Sequence, residues 1–377
     1  MIKKIFIVLF LFLFPLTLGA AETDGLENLS SKEIIFKAKV LEIVEEIEKE
    51  SNKGEKFLQQ NVRLKGLEGE FEGEEFVFYG IGDIEIIGGK TYSVGDRVLV
   101  VANESLSDNP FSYYIIDHIR STGLIIVLAL FLIFLIIVGR WKGFRSIFSL
   151  FLTFLVIIFF IVPQIMAGAS PILISFIGSI FILFFIIYLT EGFNLRSHLA
   201  VVSTFISLLL VIGISYLFIY LTRLTGAFSE DIFILVNIGQ QTINLKGMLL
   251  AGMIIGALGV LDDVIISQVA SVEQIMSANP QQRWQEVFKK SYKIGISHIS
   301  SMTNTLFLAY AGASLPLLLL FVSPDNPFNS FEQIINNEAI STEIVRALSG
   351  SLGIILSVPI ATFIATWGFF YKKNKIN

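Results

Sequence analysis

The sequence predicts a membrane all-α helical bundle of about seven transmembrane helices, preceded by a small exported β-barrel or β-sandwich domain. Three observations carry this. Of 377 residues 54% are hydrophobic, 35 are Phe and only 16% are charged, which is far from the composition of a soluble globular domain. Residues 22–117 hold 21 Asp and Glu against 10 Lys and Arg, whereas the rest of the chain holds 11 against 17, so an acidic module is attached to a basic one. From Leu124 onward, apolar runs of about 20 residues recur, each long enough to cross a hydrocarbon layer of roughly 30 Å.

The N-terminus, MIKKIFIVLFLFLFPLTLGAAETD, has Lys3 and Lys4, a short apolar core and the small residues Gly19, Ala20 and Ala21. This predicts a signal peptide over 1–21, with an uncleaved anchor as the alternative; either exports the following domain. In residues 22–117 the runs IIFKAKVLEIV, FLQQNVRLKG, EEFVFYG and DRVLVVAN alternate with the turn-rich segments SNKGEK, LEGEFEG and GGKTYSVGD. That pattern predicts an extracytoplasmic β-rich domain. Its many glutamates read as a solvated surface.

Within the polytopic region 118–377, seven spans are predicted near 122–139, 146–166, 171–190, 199–221, 247–268, 295–322 and 345–371. The loops at 140–145, 191–198 and 271–294 and the tail beyond 371 carry 11 Lys and Arg. The loops at 163–170, 223–246 and 323–344 carry 2. The positive-inside rule therefore puts the C-terminus in the cytoplasm and residues 22–117 outside, as expected for a multi-pass protein of the plasma membrane. In the 271–294 loop, Trp284, Val287, Phe288 and Tyr292 share a face with Arg283, Lys289, Lys290 and Lys293 nearby, which predicts an amphipathic helix lying on the inner leaflet.

The stretch GALGVLDDVIISQ, Gly256–Gln268, places two adjacent aspartates in an otherwise apolar span. At 100° per residue, Gly252, Gly256, Gly259, Asp263 and Ser267 fall on one arc, with Asp262 about 100° away. The glycines predict close approach by a neighbouring helix, and Asp263 is expected to face into the bundle. An acid at such a depth costs at least ~2.5 kcal/mol on insertion scales, so it is a functional candidate; helix capping or snorkelling is the structural alternative. The span opening at Gly295 carries His298, Ser301 and Thr305 on one stripe, with Ser297 and Asn304 beside it, a polar lane that also suits interhelical hydrogen bonding. If the inner edges fall near 268 and 295, Asp263 and His298 lie at similar depth and form a candidate proton relay. Glu191 and Arg196, at another cytoplasmic end, are further candidate members.

These two phrases, GALGVLDDVIISQ and SSMTNTLFLAYAGASLPLLLL, resemble the YibE/YibF-like family of bacterial multispanning membrane proteins, and the similarity extends from about residue 30 to the C-terminus. In that family the second aspartate of the first phrase and a Ser or Thr four residues later recur, which implies roles for Asp263 and Ser267, while the position of Asp262 varies. The second phrase carries over at Thr303, Asn304, Thr305, Tyr310, Gly312 and Pro316. Many relatives have an acid near the start of that span where this chain has Ser297, which weakens any mechanism needing a second intramembrane carboxylate. The resemblance implies a membrane location and, through relatives often described as transporters, transport.

Two functional classes follow. A proton- or ion-coupled permease for an unknown small solute accounts for polar residues on the spans. A receptor-like or assembly protein, whose exported domain binds a protein partner at the cell envelope, accounts for the acidic β-domain. An enzyme is not expected: Asp262 and Asp263 are neighbours on one helix where an aspartyl protease needs facing acids from two, and no phosphate-binding loop is present. With no Cys and three scattered His, neither a metal nor a cofactor is expected, and no segment suggests nucleic acid. The partners expected are the bilayer, the solute or ion, and an extracytoplasmic protein.

Overall fold

In the computed structural model, the described residues are 34–50, 56–81, 91–104, 111–227, 243–323 and 330–376, with the single residues 232 and 328. The predicted signal peptide lies outside them. The described residues divide into two compact units, one up to residue 134 and one from residue 135 onward.

The first unit is built on one antiparallel sheet in the order β3-β2-β1-β4-β5, with β1 Ile34–Glu50, β2 Lys56–Gly66, β3 Glu75–Tyr79, β4 Arg97–Glu104 and β5 Phe111–His118. β1 is long enough to serve two neighbours: Ile34 to Lys39 pair with β4, and Ala38 to Glu50 pair with β2. Register shifts after Val40 and Ile43 mark bulges, which bend the strand and increase its twist. The sheet curls into a half-barrel, and the rings of Phe76 on β3 and Tyr113 on β5 stack 4.1 Å apart across its two edges. Alternation puts Phe36, Ala38, Val40, Val62, Leu64, Val98, Val100 and Ala102 inside, buried to 2% exposure or less. The glutamates Glu45, Glu46 and Glu48 stay on the outside or pair with polar neighbours, Glu46 with Gln60 (2.6 Å) and Glu45 with Asn61 (3.0 Å). A barrel-like sheet is therefore correct and a two-sheet sandwich is not.

The helices are α1 Ser121–Val156, α2 Val162–Met166, α3 Pro171–Glu191, α4 Leu195–Leu221, α5 Leu245–Ala278, α6 Trp284–Ala313, α7 Leu315–Val322, α8 Phe331–Ile335 and α9 Glu338–Ile376. Among the described residues, five helical stretches are long and apolar enough to cross a membrane: 121–166, 171–191, 195–221, 245–278 and 338–375. The first merges two predicted spans. A single break at Arg140 (φ 50°, ψ −130°) separates them, and a π-helical turn, Ile157–Ile161, leads into α2. The predicted span 295–322 is not among the five. Its polar lane lowers its apolar content, and its helix ends at Ala313, with Pro316 opening α7.

A second correction concerns the 271–294 loop. α5 continues to Ala278 and α6 starts at Trp284, so the predicted surface helix is the opening of α6 rather than a separate element. The rings of Trp284, Phe288 and Tyr292 stack along it at 5.2 and 5.9 Å, and Trp284 meets Phe363 of α9 at 5.9 Å. Val287, on the same stretch, is fully buried. The core joins α3, α4, α5 and α9, with Leu208, Leu250, Ile254, Leu258, Leu261 and Ile265 at its centre.

Candidate functional site

Two cross-helix contacts fix how α5 and α6 lie together. The Gln268 Nε2 donates to the carbonyl of Ser291 (2.9 Å), and a Cβ on Gly256 would lie 3.7 Å from the Tyr310 hydroxyl. The helices are antiparallel, and interpolation puts Asp263 level with residues near 300. His298, Ser297 and Ser301 are therefore at its height.

Height is not direction. Asp262 is only 4% exposed, while Asp263 is exposed, the reverse of the expected orientation. The Asp262 Oδ1 accepts a hydrogen bond from the backbone amide of Asp263 (3.0 Å). Leu258, Ile265 and Val269, which flank Asp262 on its arc, belong to the main core. The other arc, Gly252, Gly256, Gly259, Asp263 and Ser267, is exposed throughout. A Cβ added at Gly252 or Gly259 would meet nothing within 4 Å. Among the described residues no helix therefore approaches Gly252 or Gly259, and Gly256 is in ordinary contact with Tyr310. The reason is packing volume: large aliphatics on the opposite arc fill the core, and the glycines are left on the open side.

Close helix contact occurs elsewhere. A Cβ on Gly295 would lie 2.9 Å from the Gln268 Oε1 and collide with Val358, and one on Gly353 would lie 2.5 Å from Val211. Gln268, fully buried, also donates to Thr362 Oγ1 (2.7 Å), so it ties α5, α6 and α9 together. Sequence reasoning missed this residue. A lone glutamine among Val and Ile near a span's end reads as interfacial, and only the third helix reveals its burial.

On α6, Ser297, Ser301, Asn304 and Thr305 are exposed and His298 is half-buried. Thr305 Oγ1 donates to the Ser301 carbonyl (3.0 Å). Among the described residues no hydrogen bond or ion pair joins His298 to either aspartate. Asp263 and Ser267 are thus uncovered on α5, and the polar lane is uncovered on α6.

Glu191 and Arg196 do not join that face. Glu191 pairs with Lys142 (3.1 Å) and Arg196 (3.5 Å), and Arg196 Nε donates to Glu273 (2.6 Å), linking α1, α3, α4 and α5. Glu273 is ten positions beyond Asp263, about 15 Å along the helix. The cluster therefore latches helix ends together, and Tyr188 with His198 Nδ1 (2.7 Å) adds a second tie. Of the sequence candidates, the structure leaves Asp263 and Ser267 exposed on α5 and Ser301, Asn304 and Thr305 exposed on α6, turns Asp262 inward, and sets Glu191 and Arg196 apart.

The family described as YibE/F-like protein matches residues 127–371. The β-domain lies outside that match, so the similarity is narrower than the one read from about residue 30. No curated protein and no solved structure matches the chain. The matched range takes in the aspartate-bearing α5, the polar lane of α6 and the latch of helix ends, and on that extent the chain belongs to the YibE/F-like family.

Proposed function

We propose that the protein is a proton- or ion-coupled permease whose path follows the open face of α5 and α6. The observation that supports this reading is the exposure of Asp263 and Ser267 on α5 and of Ser297 and Ser301 on α6. Along the middle of α4 the exposed residues, Ile206, Leu209 and Leu210, are aliphatic. Lipid solvates leucine, but it does not solvate a carboxylate or a row of hydroxyls; such groups at membrane depth face water or protein. Water along this face gives a small ion a hydrated route, and Asp263 supplies a titrating group on it. In this reading His298, half-buried on α6, exchanges a proton with it through water.

Because the chain has no Cys, single cysteines report on the face directly. Ser301→Cys should react with a membrane-impermeant, water-soluble thiol reagent, and Leu209→Cys should not. Proton or ion flux in proteoliposomes, blocked by that modification at Ser301, is the functional test. A shielded Ser301→Cys with no flux would overturn the reading.

A second reading is favoured by the exposed glycines Gly252, Gly256 and Gly259, a shape suited to a partner helix. There the protein assembles at the envelope, and the face is covered by protein. Disulfide cross-linking through Gly259→Cys, with Ser301→Cys unreactive, would support it. Orientation is tested in intact cells: a cysteine replacing Lys53 should react with an impermeant reagent and one replacing Gln282 should not, and the reverse would place the β-domain inside.

A further inference from the structure

The three loops with few positive charges contain only two bases, Arg223 and Lys246, separated by 22 intervening residues. The antiparallel pairing of α4 and α5 brings both to one cavity of about 370 Å³, with Tyr216 and Tyr220 on its wall and Ile219 and Leu250 among its apolar lining. Among the described residues no Asp or Glu lines it, and neither side chain makes an ion pair.

Arg223 is held there by a built turn. It has φ 54°, a conformation that a residue with a Cβ rarely adopts. Glu338 of α9 fixes the turn by accepting from the Thr225 amide (2.6 Å), the Thr225 hydroxyl (2.8 Å) and the Gly226 amide (2.8 Å). Gly226, with φ 87°, presses so close to the start of α5 that a Cβ there would lie 2.5 Å from the Leu245 carbonyl oxygen. Glu338 thus spends its carboxylate on the backbone of the turn and leaves the Arg223 guanidinium to the cavity. The amides of Arg223 and Leu224 donate to the carbonyls of Tyr220 (3.3 Å) and Ile219 (3.2 Å), so Arg223 is the left-handed residue that caps α4, and this cap sets where its guanidinium stands.

We infer that this cavity binds a phosphate group. The guanidinium offers a planar fork that matches two phosphate oxygens, and the ammonium adds a second, less directional charge. Tyrosine hydroxyls supply further donors, and tyrosines at the end of a span suit the membrane interface. The apolar lining accepts the glycerol and upper acyl region of a phospholipid; a free phosphate would use the cations alone. The inference is independent of the permease reading and uses none of its residues.

The test uses the full chain in nanodiscs, with thermal unfolding as readout. Three conditions are compared: phosphatidylcholine alone, phosphatidylcholine with phosphatidylglycerol, and phosphatidylcholine with inorganic phosphate at constant ionic strength. Arg223→Gly keeps the positive φ and removes the charge, so folding is spared; Lys246→Gln removes the second charge. Wild type should gain stability with phosphatidylglycerol, and the titration midpoint should weaken about fivefold for each cation lost. Lys372→Gln with Lys373→Gln, at the other end of the bundle, should respond like wild type. A response to phosphatidylglycerol alone identifies a lipid headgroup, and a response to inorganic phosphate as well identifies a free anion. No response to either, or a response that the Arg223→Gly and Lys246→Gln double variant retains, would overturn the inference.

Discussion

Gly295→Leu should eliminate folded protein from the membrane fraction, while Gly259→Leu should leave the folded yield near wild type. Gly295 lies on α6 and Gly259 on the apolar α5, and sequence spacing singles out the second. Yet a Cβ at 295 collides with Val358 and lies 2.9 Å from the Gln268 Oε1, whereas a Cβ at 259 meets nothing within 4 Å. Overfilling a packed contact costs about 1–3 kcal/mol before other losses. Here leucine would also push Gln268 away from Ser291 and Thr362, and each buried hydrogen bond lost costs roughly 1 kcal/mol more. Gly295→Ala should already lower the thermal midpoint. Gly259→Ala should raise it, because alanine is favoured over glycine in a helix by up to about 1 kcal/mol. Fluorescence-detected size exclusion in mild detergent, with a melting series, measures both. Equal loss of folded protein at 259 and 295 would mean that the glycine face of α5 is packed against another chain.

The contrast between these two glycines shows where the sequence stops being readable. Apolar length revealed the spans through α3, α4, α5 and α9, and strand alternation revealed the curled sheet, because both follow from what each residue contributes locally. The polar lane of α6 and the aspartates of α5 were legible as anomalies against that background. Their direction was not. A helical wheel groups Gly252, Gly256, Gly259 and Asp263 correctly, but it does not say whether neighbouring helices lie on that arc or on the arc of Leu258, Leu261 and Ile265. Large side chains claimed the interior, so Asp262 was carried inward with them. The continuity of α6 from Trp284 to Ala313 was hidden for a related reason: one helix starts in the Trp284 stack and only then enters the polar lane, and the change of pattern reads as a boundary. Arg223 and Lys246 were visible as charges, but their meeting depends on the return of the chain through α5.

The largest functional effect is expected at Asp263. On the permease proposal, Asp263→Asn should reduce proton-coupled flux by at least about 100-fold, the lower range for loss of a positioned proton-transfer group, with folded yield unchanged. The change keeps size and hydrogen-bonding capacity and removes only titration, and an exposed side chain leaves no cavity or orphaned partner behind. Asp262→Asn should behave differently. Its carbonyl oxygen can still accept from the Asp263 amide, and removing a charge from a site 4% exposed relieves a desolvation cost. Flux should stay within a few-fold of wild type, and the thermal midpoint should hold or rise. His298→Gln should impair flux alone but add little to Asp263→Asn if both residues serve one proton route, since coupled sites are not additive. Flux is normalised to reconstituted protein and compared with empty liposomes. Wild-type flux in Asp263→Asn with loss in Asp262→Asn would move the working carboxylate from the open face of α5 to its buried arc. Full activity in both would leave the aspartates as structural residues, and the polar lane of α6 would then have to be explained by a protein partner lying against it.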